Sequence, residues 1–214
     1  MDQVKRVIVS MLGNVPELSP LVDGTVLCAQ MIIDCYNKGK KVLLCGNGGS
    51  SADCDHIVGE LMKGFMKKRP LTKEQEDLLK DRFKDQWENV KGKLQQGLPA
   101  ISLCVHHGLI TAFCNDVDPD LVYAQQVLGY GNEEDVLIAL STSGNSVNVV
   151  NAVKTAKAFG LKVIGFTGRS GGMLKELCDL CLCAPADDTY RVQEYHLSIY
   201  HAVCAAVEAY FFEK

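Results

Sequence analysis

The short apolar run Lys41–Cys45 is followed at once by the turn Gly46-Asn47-Gly48-Gly49-Ser50 and then by a helical pattern. Such a run is typical of a strand buried on both faces of a parallel sheet. The three glycines let the backbone turn sharply and approach a ligand closely. Free N–H groups at the start of the helix favour an anion. This unit predicts a parallel sheet with a ligand site at the end of its first strand.

Strand-like and helix-like segments alternate along the chain. Apolar runs predict strands at 41–45, 100–105, 135–140, 162–167 and 177–183. Helical spacing predicts helices at 3–12, 20–38, 119–128, 146–159 and 189–213. Repeated strand–helix units of this length indicate an α/β fold with one five-stranded parallel sheet and helices on both faces. We expect a single domain over 1–214, with extra N-terminal helices in 1–39 and a long C-terminal helix at 189–213.

Residues 66–98 interrupt this alternation with a charged segment. Thr72-Lys73-Glu74-Gln75 is a capping-box pattern and predicts the start of a helix. Apolar residues then recur at helical spacing as far as Leu94, and Gly97 and Pro99 end the helix. We interpret the segment as a helical insertion that caps a crevice or packs in an oligomer.

Composition narrows the functional classes. The chain has 214 residues, is 47% hydrophobic and carries a formal net charge of −4, which suits a globular protein and argues against a nucleic-acid surface. The basic cluster Lys67-Lys68-Arg69 is interpreted as a solvated loop. No apolar run approaches the roughly 18 residues that span a bilayer, and the N-terminus lacks signal-peptide features. We expect a cytoplasmic protein without a nucleic-acid or membrane partner.

Ten cysteines are spread along the chain, mostly inside apolar segments. Cys178 and Cys181 have metal-ligand spacing, but they lack the second pair of a zinc site. Reduced cysteines that act as small core residues are the favoured interpretation. A ligand role for one or two of them stays open.

His56 and Glu60 are four residues apart, so they share one face of the helix after the glycine turn. An imidazole and a carboxylate beside a ligand turn suggest acid–base chemistry. A lone histidine is more often a satisfied, partly buried residue, and a lone glutamate is usually a surface helix residue. The combination with the glycine turn favours a functional role.

A second polar turn, Ser141-Thr142-Ser143-Gly144-Asn145-Ser146, follows the third predicted strand and opens a helix. Its four hydroxyls and the helix-start amides can neutralise a phosphate without a lysine. An ordinary helix cap needs one hydroxyl, so four favour a phosphate site. Ligands gather at the carboxyl ends of strands in open parallel sheets, so we expect both turns to line one crevice.

The chain resembles the sugar isomerase (SIS) domain family and, within it, the phosphoheptose isomerases. The resemblance covers about residues 20–210 apart from the insertion at 66–98, and five motifs occur in the family's order. They are Gly46-Asn47-Gly48-Gly49-Ser50, His56-x3-Glu60, Asn115-Asp116, Ser141–Ser146 and Arg191-Val192-Gln193-Glu194-x6-His201. The resemblance implies a flavodoxin-like three-layer sandwich.

The resemblance also implies an aldose–ketose isomerisation of sedoheptulose 7-phosphate to D-glycero-D-manno-heptose 7-phosphate through an enediol. Glu60 is then the base and His201 the acid, with Asp116 as a nearby catalytic residue. The implied ligands of one zinc ion per subunit are His56, Glu60, Gln193 and His201. The implied substrate contacts are Asn47, Gly48, Gly49, Ser50, Asn115, Asp116, Ser141, Thr142, Ser143, Ser146 and Gln193. On this comparison the Ser141 turn holds the phosphate, and 47–50 lies beside the sugar.

The two C-terminal ligands pose a geometric difficulty. Gln193 and His201 are eight residues apart, which is about 12 Å of rise on a continuous helix, whereas zinc bonds are only about 2 Å long. Either the side chains lean together, or Gln193 precedes regular helix, or the site combines residues of different subunits. The family's homotetramers, with sites at subunit contacts, favour the last option.

Two other functional classes stay open. One is an isomerase of a five- or six-carbon phosphosugar on the same fold. The other is a non-catalytic relative, either an adaptor for a partner such as a replication initiator or a sugar-phosphate sensor. Retention of both Glu60 and His201 favours an enzyme. His106, His107 and His196 match no family ligand and are interpreted as loop or interface residues.

Overall fold

Five strands form one sheet in the computed structural model, which describes residues 2–213. They are β1 (Val42–Gly46), β2 (Ala100–Ser102), β3 (Val136–Leu140), β4 (Lys162–Thr167) and β5 (Leu180–Cys183). The order across the sheet is β2-β1-β3-β4-β5, which is the flavodoxin-like order. All neighbouring strands pair in parallel. The predicted five-stranded parallel sheet is therefore confirmed.

Helices cover both faces of this sheet. One layer contains α1 (Asp2–Leu12), α2 (Val22–Asn37), α3 (Gly49–Met62) and the long α10 (Thr189–Phe212). The other contains α6 (His107–Asp116), α7 (Val122–Tyr130), α8 (Val147–Ala158) and the short α9 (Leu174–Leu177). The insertion carries α4 (Lys73–Phe83) and α5 (Trp87–Val90). Short 3-10 helices lie at Pro16–Leu21, Lys84–Gln86 and Pro119–Leu121.

Two hydrophobic cores lie between these layers because side chains alternate along each strand. Val42 and Leu44 of β1 point into the core beneath α2, α3 and α10. Leu43 and Cys45 point into the core beneath α7 and α8. α10 packs against α1, α2 and α3, so it is the central helix of its layer. Five of the ten cysteines are fully buried and all ten are free thiols.

Some predicted boundaries are wrong. β2 ends at Ser102 rather than at residue 105, and the residues predicted as a loop after it begin α6. The capping box at Thr72 is present, but the predicted helix to Leu94 is broken because Lys84 adopts a φ of 45°. A positive φ is unfavourable for a residue with a Cβ and interrupts the helical hydrogen bonds.

The basic cluster at 67–69 is only partly solvated, as Arg69 is fully buried and paired with Glu208. The interpretation of the whole cluster as a solvated loop is therefore wrong for its third residue. A basic run in the sequence shows where the charges are. The burial of Arg69, however, depends on the carboxylate of Glu208, which is 139 residues away in sequence.

Among residues 2–213, one helical stretch, Pro16–Asn37, is long and apolar enough to cross a membrane, with 22 residues and a mean hydropathy of 1.3. It consists of the 3-10 turn Pro16–Leu21 and α2. The buried residues of α2 are Thr25, Cys28, Ala29, Ile32, Ile33 and Cys35. Because α2 packs against α10 and β5, it is a core helix of this fold.

Candidate active site

The two polar turns meet where the strand order reverses. The glycine turn follows β1 and the Ser141 turn follows β3, and these strands are neighbours in the sheet. Ligands of open α/β sheets bind at such a switch point. Both turns line one cavity of about 260 Å³, together with residues from the start of α10. The lining is Asn47, Gly48, Gly49, Ser50, Leu140, Ser141, Thr142, Ser146, Thr189 and Gln193.

The Ser141 turn is an internally bonded loop of hydroxyls. Ser141 Oγ lies 3.0 Å from Ser146 Oγ, and the Gly144 amide donates to the Ser141 carbonyl at 2.9 Å. Gly144 has a φ of 68° and lies so close to the Gly171 carbonyl that a Cβ would clash. The loop at the end of β4 therefore supports the turn from behind.

The glycine turn is held by side chains from the opposite helical layer. Tyr123 Oη donates to the Gly46 carbonyl at 2.6 Å. The amides of Asn47 and Asn148 exchange two hydrogen bonds of 2.9 and 3.1 Å. Gly49 touches the side chain of Gln193 where a Cβ would clash. This close approach joins the start of α3 to the start of α10.

Farther along these two helices, an imidazole–carboxylate cluster forms from His56, Glu60 and His201. His56 Nε2 lies 3.2 Å from Glu60 Oε1 and 3.5 Å from His201 Nε2. The first pair results from the spacing of four residues within α3. The second results from the packing of α10 on α3, which brings together three residue positions that the sequence predicted for one site.

Tyr200 and Asp53 orient the His56 ring, and sequence analysis missed both. Tyr200 Oη lies 2.9 Å from His56 Nδ1 and donates to Asp53 Oδ1 at 3.2 Å. Burial raises the pKa of Asp53 above its usual range. Because Nδ1 is engaged by Tyr200, Nε2 faces Glu60 and His201. Asp53 and His56 are three residues apart, so the sequence could have indicated that they share one face of α3. The role of Tyr200 depends on a tertiary contact.

Glu60 is nearly buried, with a relative exposure of 9%. Its Oε2 atom is buried and has no hydrogen-bond partner among residues 2–213; Lys63 Nζ stands 3.7 Å away. Burial and the nearby His56 both lower the pKa of His201. The cluster thus holds a carboxylate with free acceptor capacity beside an imidazole of reduced basicity.

The donor atoms of the cluster match part of a divalent-metal site. Two ligand atoms of a tetrahedral zinc site are about 3.3 Å apart when each bond is about 2.0–2.1 Å, and the separations of 3.2 and 3.5 Å match this. The unpartnered Glu60 Oε2 supplies further capacity. Among residues 2–213, however, no group of three or more His, Cys, Asp or Glu side chains is arranged so that it could hold a metal ion. The three donors are therefore an open set that needs additional ligands.

A larger cavity of about 410 Å³ lies between α1 and α10 and includes Arg6, Lys67 and Glu213. Its lining contains none of the cluster residues and neither polar turn. The smaller cavity combines convergent hydroxyls, amides and helix starts, so its chemistry makes it the candidate ligand site.

Comparison with known proteins agrees with this geometry. The SIS domain family profile matches residues 25–96 and 95–168. A phosphoheptose isomerase of Burkholderia pseudomallei is 38% identical over 212 residues, covering 99% of this chain and 92% of the relative. One of Roseiflexus is 38% identical over 189 residues, covering 88% and 83%. The chain belongs to the phosphoheptose isomerase family of SIS domain proteins.

Solved structures of this family share the fold. The phosphoheptose isomerase from Neisseria gonorrhoeae has a TM-score of 0.74 at 32% identity, with 94% of this chain and 93% of that chain covered. The one from Francisella tularensis has a TM-score of 0.74 at 30% identity, with 96% of each chain covered. The resemblance and the flavodoxin-like sandwich inferred from the sequence are confirmed.

In this member of the phosphoheptose isomerase family, Gln193 lies inside the continuous helix α10 and lines the cavity. One explanation for its spacing from His201, that it precedes regular helix, is therefore wrong. The separation of about 12 Å along the helix remains. Gln193 as a zinc ligand stays a prediction that requires either leaning side chains or a second subunit.

Asn115 and Asp116 end α6 on the opposite helical layer from the cluster. Asn115 Nδ2 donates to Asp116 Oδ1 at 2.8 Å, and both residues are exposed. Asp116 and Glu60 thus lie on helices of different layers. The catalytic role of Asp116 stays a prediction.

The interpretation of His196 as a loop or interface residue is wrong. His196 is fully buried in α10, its Nε2 lies 3.1 Å from the Thr167 carbonyl, and its ring packs against Phe166. Burial lowers its pKa to about 4. His106 stacks on Tyr130 at a centroid distance of 5.3 Å, and His107 is an exposed residue at the start of α6.

Proposed function

We propose that this protein is an aldose–ketose isomerase that interconverts sedoheptulose 7-phosphate and D-glycero-D-manno-heptose 7-phosphate. The observation that carries the proposal is the convergence of Glu60 and His201 through His56, on the two helices that start at the cavity. A base and an acid on adjacent helices are what proton transfer between two neighbouring carbons requires. The names of the relatives fit this reaction class.

In the proposed reaction, Glu60 removes the proton from the hydroxyl-bearing carbon of the C1–C2 pair and returns it to the other carbon. His201 donates a proton to the carbonyl oxygen as the enediol forms, and takes one back as the new carbonyl forms. The near burial of Glu60 keeps bulk water away from the carboxylate. The lowered pKa of His201 suits an imidazole that must both donate and accept near neutral pH.

The phosphate is proposed to bind the Ser141 turn, where Ser141, Thr142 and Ser146 line the cavity at the start of α8. The Ser143 hydroxyl, 3.5 Å from Ser141 Oγ, is a further proposed contact. Asn47, Gly48, Gly49 and Ser50 would contact the sugar backbone on the other wall of the cavity. Six residues separate Ser50 from His56 on α3, which is about 9 Å of rise. Asn115 and Asp116 are proposed as further sugar contacts from a neighbouring subunit.

One zinc ion per subunit is proposed as the cofactor. His56, Glu60 and His201 would hold it, with Gln193 completing the ligand set, and the measured donor separations support this. A zinc ion would polarise the sugar oxygens and stabilise the negative charge of the enediolate. Tyr200 supports the proposal, because a metal-binding histidine usually has its second ring nitrogen engaged by a hydrogen-bonding group.

We further propose a homotetramer with active sites at subunit contacts. A second subunit is the simplest source of Gln193, since α10 of one chain cannot present both Gln193 and His201 to one ion without strong leaning. The exposed apolar residues around α6 support an interface there: Val105 is 54% exposed, Leu109 40% and Val117 65%. The cytoplasm is the proposed location, and phosphorylated sugars rather than nucleic acids or membranes are the proposed partners.

The deciding experiment is incubation of purified zinc-loaded protein with sedoheptulose 7-phosphate, followed by NMR of the sugar, with and without a chelator. We expect an aldose product whose formation stops when the metal is removed. Binding without conversion would instead support a sugar-phosphate sensor. Faster conversion of a five- or six-carbon phosphosugar would support an isomerase with another substrate, and absence of both binding and conversion would support an adaptor.

A further inference from the structure

Arg69 and Glu208 form an ion pair in which both side chains are completely buried. Arg69 Nε donates to Glu208 Oε1 at 2.8 Å, and the guanidinium lies 5.0 Å from the centre of the Phe212 ring. Burial of two charges is costly unless their remaining hydrogen-bonding atoms are also satisfied. The other contacts of the pair therefore indicate what it does in this fold.

Arg69 caps the helix that carries the proposed base. Its Nη2 donates to the carbonyl of Glu60 at 2.8 Å, and its Nη1 donates to the carbonyl of Leu61 at 2.5 Å. The last carbonyls of a helix have no intrahelical partner. α3 ends at Met62, and its C-cap residue Lys63 is extended rather than a glycine cap. A cation here also matches the negative end of the helix dipole. The Arg69 side chain thus holds the last turn of α3 through the backbone carbonyls of that turn.

Glu208 holds the segment that follows this turn. Its Oε1 accepts from the Phe65 amide at 2.8 Å, and its Oε2 accepts from the Met66 and Lys67 amides at 2.7 and 2.9 Å. With Arg69, these donors fill the four acceptor positions of the carboxylate. The Phe65 ring lies 5.4 Å from the His201 ring. The segment of Phe65, Met66 and Lys67 is therefore held against α10, the helix that carries the proposed acid His201.

Glu208 is seven residues after His201 on α10, which is two helical turns and the same face. The ion pair therefore ties the backbone of Glu60 to the face of α10 that carries His201. We propose that Arg69 and Glu208 are positioning residues that set the separation of Glu60 and His201 for the isomerisation. This inference rests on the proposed function, because it concerns the geometry of that acid and base.

The expected effect is on turnover rather than on substrate affinity. Proton transfer needs the base at hydrogen-bond distance, and a displacement of about 1 Å can cost about 10²-fold in rate. The polar turns that would hold the phosphate lie at the other ends of α3 and α10. Loosening the last turn of α3 should therefore lower kcat and leave KM nearly unchanged.

The test compares Arg69→Lys with Asp135→Asn. Lysine keeps the charge and can reach Glu208, but it lacks the planar fork that contacts two carbonyls. Asp135 is a matched control because it is also buried and paired, with Lys41 Nζ at 2.6 Å, at the amino end of β3. Turnover is measured well below the Tm of both variants. We expect kcat of Arg69→Lys to fall about tenfold or more, KM to stay within about twofold, and Asp135→Asn to lose stability only.

If kcat of Arg69→Lys falls no more than that of Asp135→Asn at a comparable loss of Tm, the positioning role is wrong. If Arg69→Lys does not fold, Glu208→Gln is the second variant. It keeps one acceptor oxygen and replaces the other by an amide nitrogen, which accepts no hydrogen bond, so two of the four donors around Glu208 lose their partner. An unchanged kcat in folded Glu208→Gln would likewise overturn the role. A wild-type protein without turnover would contradict the proposed function itself.

Discussion

His201 Nε2 of α10 lies 3.5 Å from His56 Nε2 of α3, although 145 residues separate the two in sequence. Each histidine alone has an ordinary structural explanation. Glu60 Oε1 lies 3.2 Å from His56 Nε2. The two ring nitrogens and this carboxylate oxygen can therefore contact the same small ligand. The packing of α3 against α10 thereby turns two separate motifs into one candidate reaction centre.

Replacement of the proposed base should stop the chemistry without removing the binding site. We expect Glu60→Gln to lower kcat by about 10² or more, since general base catalysis contributes about 10²–10⁴. Calorimetric titration with the sugar phosphate should still show binding, because the cavity lining excludes Glu60. Glu88→Gln, an exposed residue of the insertion, is the control. Turnover that survives in Glu60→Gln would remove this residue from the base role.

The hydroxyl of Tyr200 should strengthen the proposed zinc site. Tyr200→Phe removes the group 2.9 Å from His56 Nδ1, and loss of such an outer partner typically weakens metal binding about 10–100-fold. Competition against a chromophoric chelator measures this independently of activity. Tyr190→Phe is the control, because Tyr190 is exposed on the same helix. Equal zinc affinity in the two variants would contradict the prediction.

Sites shared between subunits predict complementation of inactive variants. Gln193→Ala and His201→Ala should each be inactive alone. If Gln193 and His201 of one site come from different chains, randomly mixed oligomers should regain activity at about a quarter of their sites. The measurement is turnover after co-refolding of equal amounts. Absence of recovery, with mixed oligomers demonstrated by native mass spectrometry, would place both residues in one chain.

If the active site is shared between subunits, isolated monomers should be inactive. A dilution series with turnover and mass measured in parallel should show activity falling together with the oligomer fraction, because the monomer lacks the partner's ligands. Full activity in demonstrably monomeric protein would refute a shared site.

His196 should make the protein sensitive to mild acid. Its pKa in the folded state is about 4, below the ordinary value of 6.5, because burial disfavours the charged ring. The unfolded chain therefore binds a proton that the folded chain does not, so stability is lost as the pH falls from 6.5 towards 4, by about 1.4 kcal/mol per pH unit. Urea unfolding of His196→Gln across this range should show a shallower pH dependence than the wild type. His107→Gln, at an exposed site, should match the wild type.

Much of the fold followed from local patterns. Apolar runs located all five strands, although β2 and β5 are shorter than expected, because a buried parallel strand must be apolar on both faces. The glycine and Ser141 turns were predicted to share a crevice, and they line one cavity. Sequence analysis missed the helix α6, although Ile110, Phe113 and Cys114 recur at helical spacing and pack, partly buried, against the core.

The sequence by itself determined the parallel α/β architecture and the two polar turns, because these depend on short-range periodicity and residue chemistry along the chain. The residues of the proposed acid and base were indicated by the resemblance to the family. Only the tertiary structure decided that Arg69 is buried, that Tyr200 bridges Asp53 and His56, and that His56 meets His201. Those facts depend on contacts between residues more than 130 positions apart, and such contacts arise only when α10 packs against α3.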